Sequence, residues 1–431
     1  MADVGSVDAY ALAQSVARRS YGRLLAFVAA RTHDIASAED ALGDAFAAAL
    51  SHWPADGVPA NPEAWLLTAA RHRALDGFRH QAIEAAASDQ LATLAQPGHA
   101  EHADLAALLP SAVGADGNLK AIPDDRLRLM FACAHPGIAA ELRAPLILQT
   151  VLGFDAASIA SAFRVAPSTM GQRLSRGKAR IRQAGIPFRV PDAHELAERL
   201  DAVLAAVYAA YSDGWTDPTG TQAQRRAMAE EALWLGRLTA ALLPDQPEAL
   251  GLLALMLYLE SRRVARRDAE GEFVPLESQD TDRWDGTMLD EAESLLQQAA
   301  AAGRPGRYQL EAAVQSAHTA RRLGKPTDWP AIVALYGALG EITASPVVAI
   351  NRAVALAHTA GPLAALEALQ EVADDTRIAT YQPYWAARAE LLMQSRQTDA
   401  ARAAYLQAIG LEMDPAVRRF LQRRAALVEP D

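Results

Sequence analysis

The sequence predicts an all-α protein of several domains, and three observations carry that reading. Across 431 residues Ala, Leu and Arg dominate while aromatic side chains make up only 6%, a composition rich in helix formers and poor in the residues that favour strands. Apolar residues recur at three- and four-residue spacings with almost no alternating runs, which is the period of a helix face. The chain is 51% apolar and 22% charged, enough for two or three hydrophobic cores, which excludes a disordered chain. Two to four domains are expected, and a β-barrel or sandwich is ruled out.

No stretch approaches eighteen uninterrupted apolar residues, and the N-terminus carries Asp3 and Asp8 where a signal peptide would place basic residues. A soluble, cytoplasmic protein with no membrane association is expected. The single cysteine, Cys133, forbids an internal disulfide and any zinc site with more than one thiolate, in keeping with a reducing compartment. Net charge is −11, but it is unevenly spread: −2 over 1–83, −6 over 84–125, +8 over 126–190 and −11 over 191–431. An acidic chain with one short basic block suggests a local polyanion-binding element.

The elements follow in order. Tyr10 to Thr32 reads as a first helix on Val16, Leu24, Leu25 and Phe27. Ser37 is expected to open a second, with Glu39 and Asp40 in its first turn, running to about His52 and ended by Trp53-Pro54-Ala55. A proline-punctuated loop leads to a third helix from Glu63 to about Ala85, carrying Trp65, Leu66, Leu75 and Phe78. Together these make a domain over 1–85. Residues 86–123 read as a mobile acidic linker with one short helix at 101–109.

A second unit, 124–190, is predicted as helices 124–134, 139–152, 155–163 and 167–184. The last two, separated by Arg164-Val165-Ala166, have the helix-turn-helix layout. Between Ala156 and Pro191 lie seven basic residues and no acid, and Pro167 stands where a first-turn proline is tolerated. Ser168 and Thr169 would then lead the helix that enters a major groove. Arg173 and Arg176, three apart, would face DNA with Gln172 and Arg180, while Lys178 and Arg182 would meet phosphates. Gly171 and Gly177 inside this helix predict a reader that is loose away from DNA.

Residues 191–431 read as a solenoid-like array of helical hairpins: 225–243 with 247–261, 286–301 with 307–323, Pro346 to Leu369, and a tetratricopeptide-like (TPR-like) unit from Gln382 closed by Pro415. In that last unit Trp385, Ala389, Leu392, Ala401, Tyr405 and Ala408 occupy the repeat's packing positions. Glu270 to Asp290 reads as a solvated acidic loop.

Catalytic patterns do not emerge. His99-Ala100-Glu101-His102 spaces its histidines by three instead of the four a zinc-binding helix needs, and no nucleophile elbow, phosphate loop or dinucleotide fingerprint occurs. Cys133 and His135 lie two apart and would diverge on a helix, so Cys133 reads as a core thiol. No enzyme activity, cofactor or metal site is expected.

The runs Ala38-Glu39-Asp40-Ala41-Leu42, Asp44-Ala45-Phe46, Trp53-Pro54, Pro62-Glu63-Ala64-Trp65-Leu66 and Ala70-Arg71-His72-Arg73-Ala74-Leu75-Asp76 resemble region 2 of the extracytoplasmic-function sigma factors. Ile122 to Phe131, Cys133 to Pro136, Thr169 to Leu174 and Gly185 to Pro191 resemble region 4. The whole is similar to the subgroup with a long C-terminal TPR-like extension, including the stretches Leu250 to Leu257 and Arg304 to Leu310. The resemblance implies a promoter-specificity subunit whose partners are RNA polymerase core and promoter DNA. Region 2 would dock on the polymerase through Glu39, Asp40 and Asp44 and open the −10 element with Trp65, Arg71, His72, Arg73 and Arg79. Region 4 would read the −35 element, and the acidic linker would thread the polymerase. Gly43, Gly77 and His80 depart from the family pattern and leave the −10-facing helix less basic.

The charge contrast between the −11 extension and the +8 unit leads to the expectation that the array contacts the helix-turn-helix unit in free protein, and that a protein or small-molecule regulator acts through it. The rival readings are a TPR-type protein-binding scaffold and a simple DNA-binding regulator.

Overall fold

Helix formation in the N-terminal part is set by one capping residue. The structure is a computed structural model that describes Val16 and residues 20–74, 125–163, 165–186, 188–189, 191–215, 223–375 and 378–428. Its first helix, α1, covers 20–32. His33 then takes positive φ, and the Asp34 carboxylate accepts hydrogen bonds from the Ala36 N–H and the Ser37 hydroxyl. That cap starts α2 (Ile35–Asp56) ahead of the expected Ser37. At its other end α2 runs through Pro54 to Asp56, past the expected stop. The proline ring crowds the carbonyl of Leu50, an exposed residue, so the helix can bend there without disturbing the core, while Trp53 is buried and holds the last turn. The third helix, α3, is described over 62–74. Leu24, Leu25, Leu42, Ala45, Leu66 and Leu67 from the three helices are buried. Phe78, Arg79, His80 and the acidic linker, with its histidine pair, lie outside the described residues.

Four helices follow: α4 (Arg126–Cys133), α5 (Ala140–Thr150), α6 (Ala156–Ala162) and α7 (Pro167–Gln183). The turn between α6 and α7 is short, and Pro167 occupies the first turn of α7, as its fixed φ and missing N–H allow. α7 is anchored by Met170, Leu174, Gly177 and Ile181, which are buried at helical spacing. Gly177 is there for contact and not for looseness: a Cβ on it would lie 2.7 Å from Leu146 Cδ1. Gly171 faces open space. Cys133 is fully buried with Thr150 Oγ1 at 3.5 Å, and burial pushes its thiol up to about 12, as befits a core thiol.

The chain divides into two compact units, Met1–Ala210 and Tyr211–Asp431, with the boundary inside α8 (Ala193–Trp215). The second unit is made of hairpins: α9 (Ala223–Leu242) with α10 (Pro247–Ser261), α11 (Gly286–Ala301) with α12 (Arg307–Thr319), α13 (Trp329–Thr343), α14 (Pro346–Ala360) with α15 (Pro362–Gln370), α16 (Gln382–Gln394) with α17 (Thr398–Leu411), and the closing α18 (Pro415–Ala426). α10 is apolar nearly all round and is buried on most sides, packed against both α11 and α12. In the last hairpin Ala389, Leu392, Ala401, Tyr405 and Ala408 form one core that Trp385 covers.

The connection between α10 and α11 exposes most of its acids, as expected, but it is anchored on the neighbouring helices. Arg283 donates to the carbonyls of Arg267 and Val264, Arg321 donates to that of Leu276, and Glu272 accepts from Arg419 and Arg423 of α18. Arg419 and Arg423 neutralise Glu272 while Arg283 and Arg321 satisfy backbone carbonyls, which ties the segment down although Glu270, Glu277, Asp280, Asp282 and Asp285 stay exposed. Among the described residues β pairing is limited to one isolated bridge, Arg267 with Phe273.

Candidate nucleic-acid interface

Helix α7 presents three faces, separated by the 100° advance per residue. One is the buried stripe already described. On the second, Ser168, Gln172, Arg176 and Arg180 are exposed, with Thr169 and Arg173 partly so. Arg176 Nε bonds only weakly back to the Gln172 carbonyl at 3.4 Å, and Arg180 Nε reaches the Gly137 carbonyl at 3.3 Å. This face combines hydroxyls, an amide and guanidinium groups with no carboxylate, a set able to bond to base edges and phosphates. The third face carries Lys178 and Arg182, one turn apart.

Those two cations meet α2 and its cap. Lys178 Nζ lies 2.6 and 2.7 Å from the two Glu39 carboxylate oxygens, and Arg182 Nη1 lies 3.4 Å from Asp34 Oδ2. Both members of the first pair are mostly shielded, at 12% and 22% side-chain exposure. The sequence reading assigned Glu39 and Lys178 to two different partners, and the structure brings them together. It also separates Glu39 from its companions: Asp40 and Asp44 are exposed, one turn apart on α2. Tyr21 is half-buried near this patch, and burial, followed by the charges of Glu39 and Asp40, pushes its phenol up to about 12.

On α3, Trp65 packs edge-on against buried Trp53 with ring centroids 5.6 Å apart and is partly exposed. Arg71 is half-buried, while His72 and Arg73 are exposed, Arg73 standing 4.0 Å from Asp44. The helix therefore carries a partly exposed aromatic side chain and, about two turns further on, exposed His72 and Arg73. Arg79 lies outside the described residues.

Three residues of this region escaped the sequence reading. Arg31 donates to Asp125 at 3.0 Å, and Asp125 is nearly fully buried, also accepting from Arg128. Asp34 is both helix cap and partner of Arg182. Arg31 and Asp125 are 94 positions apart, so no local pattern links them. An aspartate ahead of an apolar helix was the available signal for Asp34. Among the described residues no cluster of His, Cys, Asp and Glu could hold a metal ion, and no helix is long and apolar enough to cross a membrane.

The described part of the first unit thus combines the helical α1–α3 domain with an exposed face of α7 that carries basic and polar side chains and no acid. Comparison with known proteins sharpens this. Residues 16–83 match sigma-70 region 2, and residues 199–300 match a family of unknown function (DUF6596). Over 423 residues, 98% of this chain and 96% of the other, the sequence is 36% identical to an uncharacterized protein of Rhizobium meliloti (strain 1021). No solved structure matches the chain. The chain belongs to the sigma-70 family, as an extracytoplasmic-function sigma factor with a C-terminal helical extension. Its role is in transcription initiation, its region 2 implies binding to RNA polymerase core and promoter DNA, and the sigma-70 family consists of non-enzymatic transcription factors.

Proposed function

We propose that this sigma factor directs polymerase to promoters by reading the −35 element through the open face of α7 and melting the −10 element through α3. Residues 1–85 act as region 2, 86–123 as the acidic linker through the polymerase, 124–190 as region 4 and 191–431 as a TPR-like regulatory extension, in a cytoplasmic protein. The observation that carries the reading is the α7 face of Ser168, Gln172, Arg173 and Arg176, free of acids and set on a helix whose opposite side is anchored in a core. Support for the −10 role comes from partly exposed Trp65 and exposed His72 and Arg73 on one helix, and for polymerase docking from the exposed pair Asp40 and Asp44.

The test is reconstitution. Purified full chain added to core polymerase should yield open-promoter complexes and transcripts from a genomic promoter library, and truncation after Val190 should change that output, since the extension carries the regulatory input. A core enzyme left inert would favour a scaffold, and DNA binding without initiation would favour a simple regulator.

A further inference from the structure

We infer that the second compact unit carries a binding site for a small phosphorylated molecule with a planar heteroaromatic ring, of mononucleotide size. The site is the cleft bounded by the α10–α11 connection, the segment leading from α12 to α13, and α14. This rests on the reading of 191–431 as the regulatory extension and names the chemistry of its input. The cleft measures about 640 Å³, within the range of roughly 300–1,000 Å³ usual for small-molecule sites.

One wall of the cleft is aromatic and fixed in place. Trp329, at the start of α13, lies flat on His358 of α14, with the rings parallel and their centroids 3.6 Å apart. His318 of α12 stands edge-on to the same indole at 5.5 Å. Glu277 steadies the imidazole of His358, its carboxylate 3.4 Å from Nε2. A stack formed in advance spares a ligand the entropy of ordering it, and a planar ring can extend it.

Two cations line the same cleft. Arg321 is held by the Leu276 and Gln279 carbonyls at 2.8 and 3.4 Å, which engage only part of the five-donor guanidinium fork. Lys325 is exposed and, like the Thr327 hydroxyl, has no hydrogen-bond or ion-pair partner among the described residues. Gly324, at φ 68°, turns the chain between Arg321 and these two groups, so that all three line one cleft. The one lining carboxylate is Glu277, which His358 already engages. The surroundings have the same positive sign: burial, then the charges of Arg262, Arg321 and His358, lowers the His318 imidazole to about 4. His318 is therefore neutral at pH 7 and adds ring surface without charge. A guanidinium, an ammonium and a hydroxyl beside a flat aromatic wall match the oxygens of a phosphate and the ring that carries it.

The test is calorimetric titration of the full chain, without polymerase. The probes are the four ribonucleoside monophosphates, with the matching nucleosides and inorganic phosphate as the separated parts. At least one nucleotide should fill a single saturable site per chain. It should bind at least about tenfold more tightly than its nucleoside or inorganic phosphate, because ring and phosphate are held together. Lys325→Ala should weaken that binding by at least about fivefold with an unchanged melting temperature, since the side chain is exposed and unpartnered. Thr327→Val, which keeps the shape and removes the hydroxyl, should weaken it as well. No binding of any nucleotide up to about 1 mM, or binding matched by nucleoside or phosphate alone, would overturn the inference. Binding indifferent to both variants would also overturn it, by placing the ligand elsewhere on the chain. Since no step involves polymerase, failure here leaves the initiation assay standing, and a failed initiation assay leaves this binding measurable.

Discussion

Gly177 and Leu146 are in contact across the α7–α5 packing, with room for a hydrogen on the glycine but not for a methyl group. Gly177→Ala should therefore destabilise the chain by about 1–2 kcal/mol, the overpacking cost exceeding alanine's helix preference. Gly171→Ala, on the same helix with nothing within 4 Å of its added carbon, should stabilise by about 0.5–1 kcal/mol. Denaturant unfolding of the two variants should give opposite signs.

Arg176→Ala should weaken binding of a −35 duplex by about 1–3 kcal/mol if the guanidinium contacts a base. Its side chain is exposed and its one internal bond is long, so thermal stability should be unchanged. Titration of duplex against the variant, alongside calorimetry, checks both halves.

Asp40→Lys and Asp44→Lys should abolish co-purification with polymerase core while leaving the fold intact. Both carboxylates are exposed, and the nearest cation to Asp44, Arg73, is 4.0 Å away with both side chains well solvated. Such pairs contribute about 1 kcal/mol or less. Circular dichroism melts that match the parent, with core binding lost, are the expected pattern.

Acid should destabilise the second unit through His318. Burial, then the charges of Arg262, Arg321 and His358, lowers its imidazole to about 4. The unfolded chain takes up this proton near pH 6.5 and the folded chain only near 4, so stability is fully present above 6.5 and declines as pH falls through that window. A loss on the order of 2–3 kcal/mol is expected between pH 7 and 4. His318→Gln should remove that part of the slope in unfolding measured against pH.

Much of this molecule was legible from one sequence because its helices announce themselves. Pro167, Pro247, Pro346 and Pro415 each stand in the first turn of a helix, and apolar spacing gave the faces between them. The exposed, acid-free face of α7 was legible for the same reason, since residues three and four apart share a side. What one sequence does not show is which charges meet. Glu39 and Lys178 are 139 positions apart, and each taken alone looks like a surface charge awaiting an outside partner. Within the acidic 270–290 stretch the anchoring of Glu272 is hidden in the same way, because the arginines that neutralise it lie about 150 positions away on α18.

Glu248 sits in the first turn of α10, yet its carboxylate accepts from the backbone N–H groups of Tyr308 and Gln309 at the start of α12, packed against Gly306. A helix normally caps itself from the residue just ahead of it, and here the cap is borrowed across roughly sixty residues. α12 consequently cannot melt or form on its own terms: its exposed amides are satisfied only while α10 is in place. In an array whose hairpins could otherwise fray one at a time from the ends, this junction ties two hairpins into one cooperative block. Amide hydrogens of α10 and α12 should exchange with solvent together, and Glu248→Ala should split them into separate events.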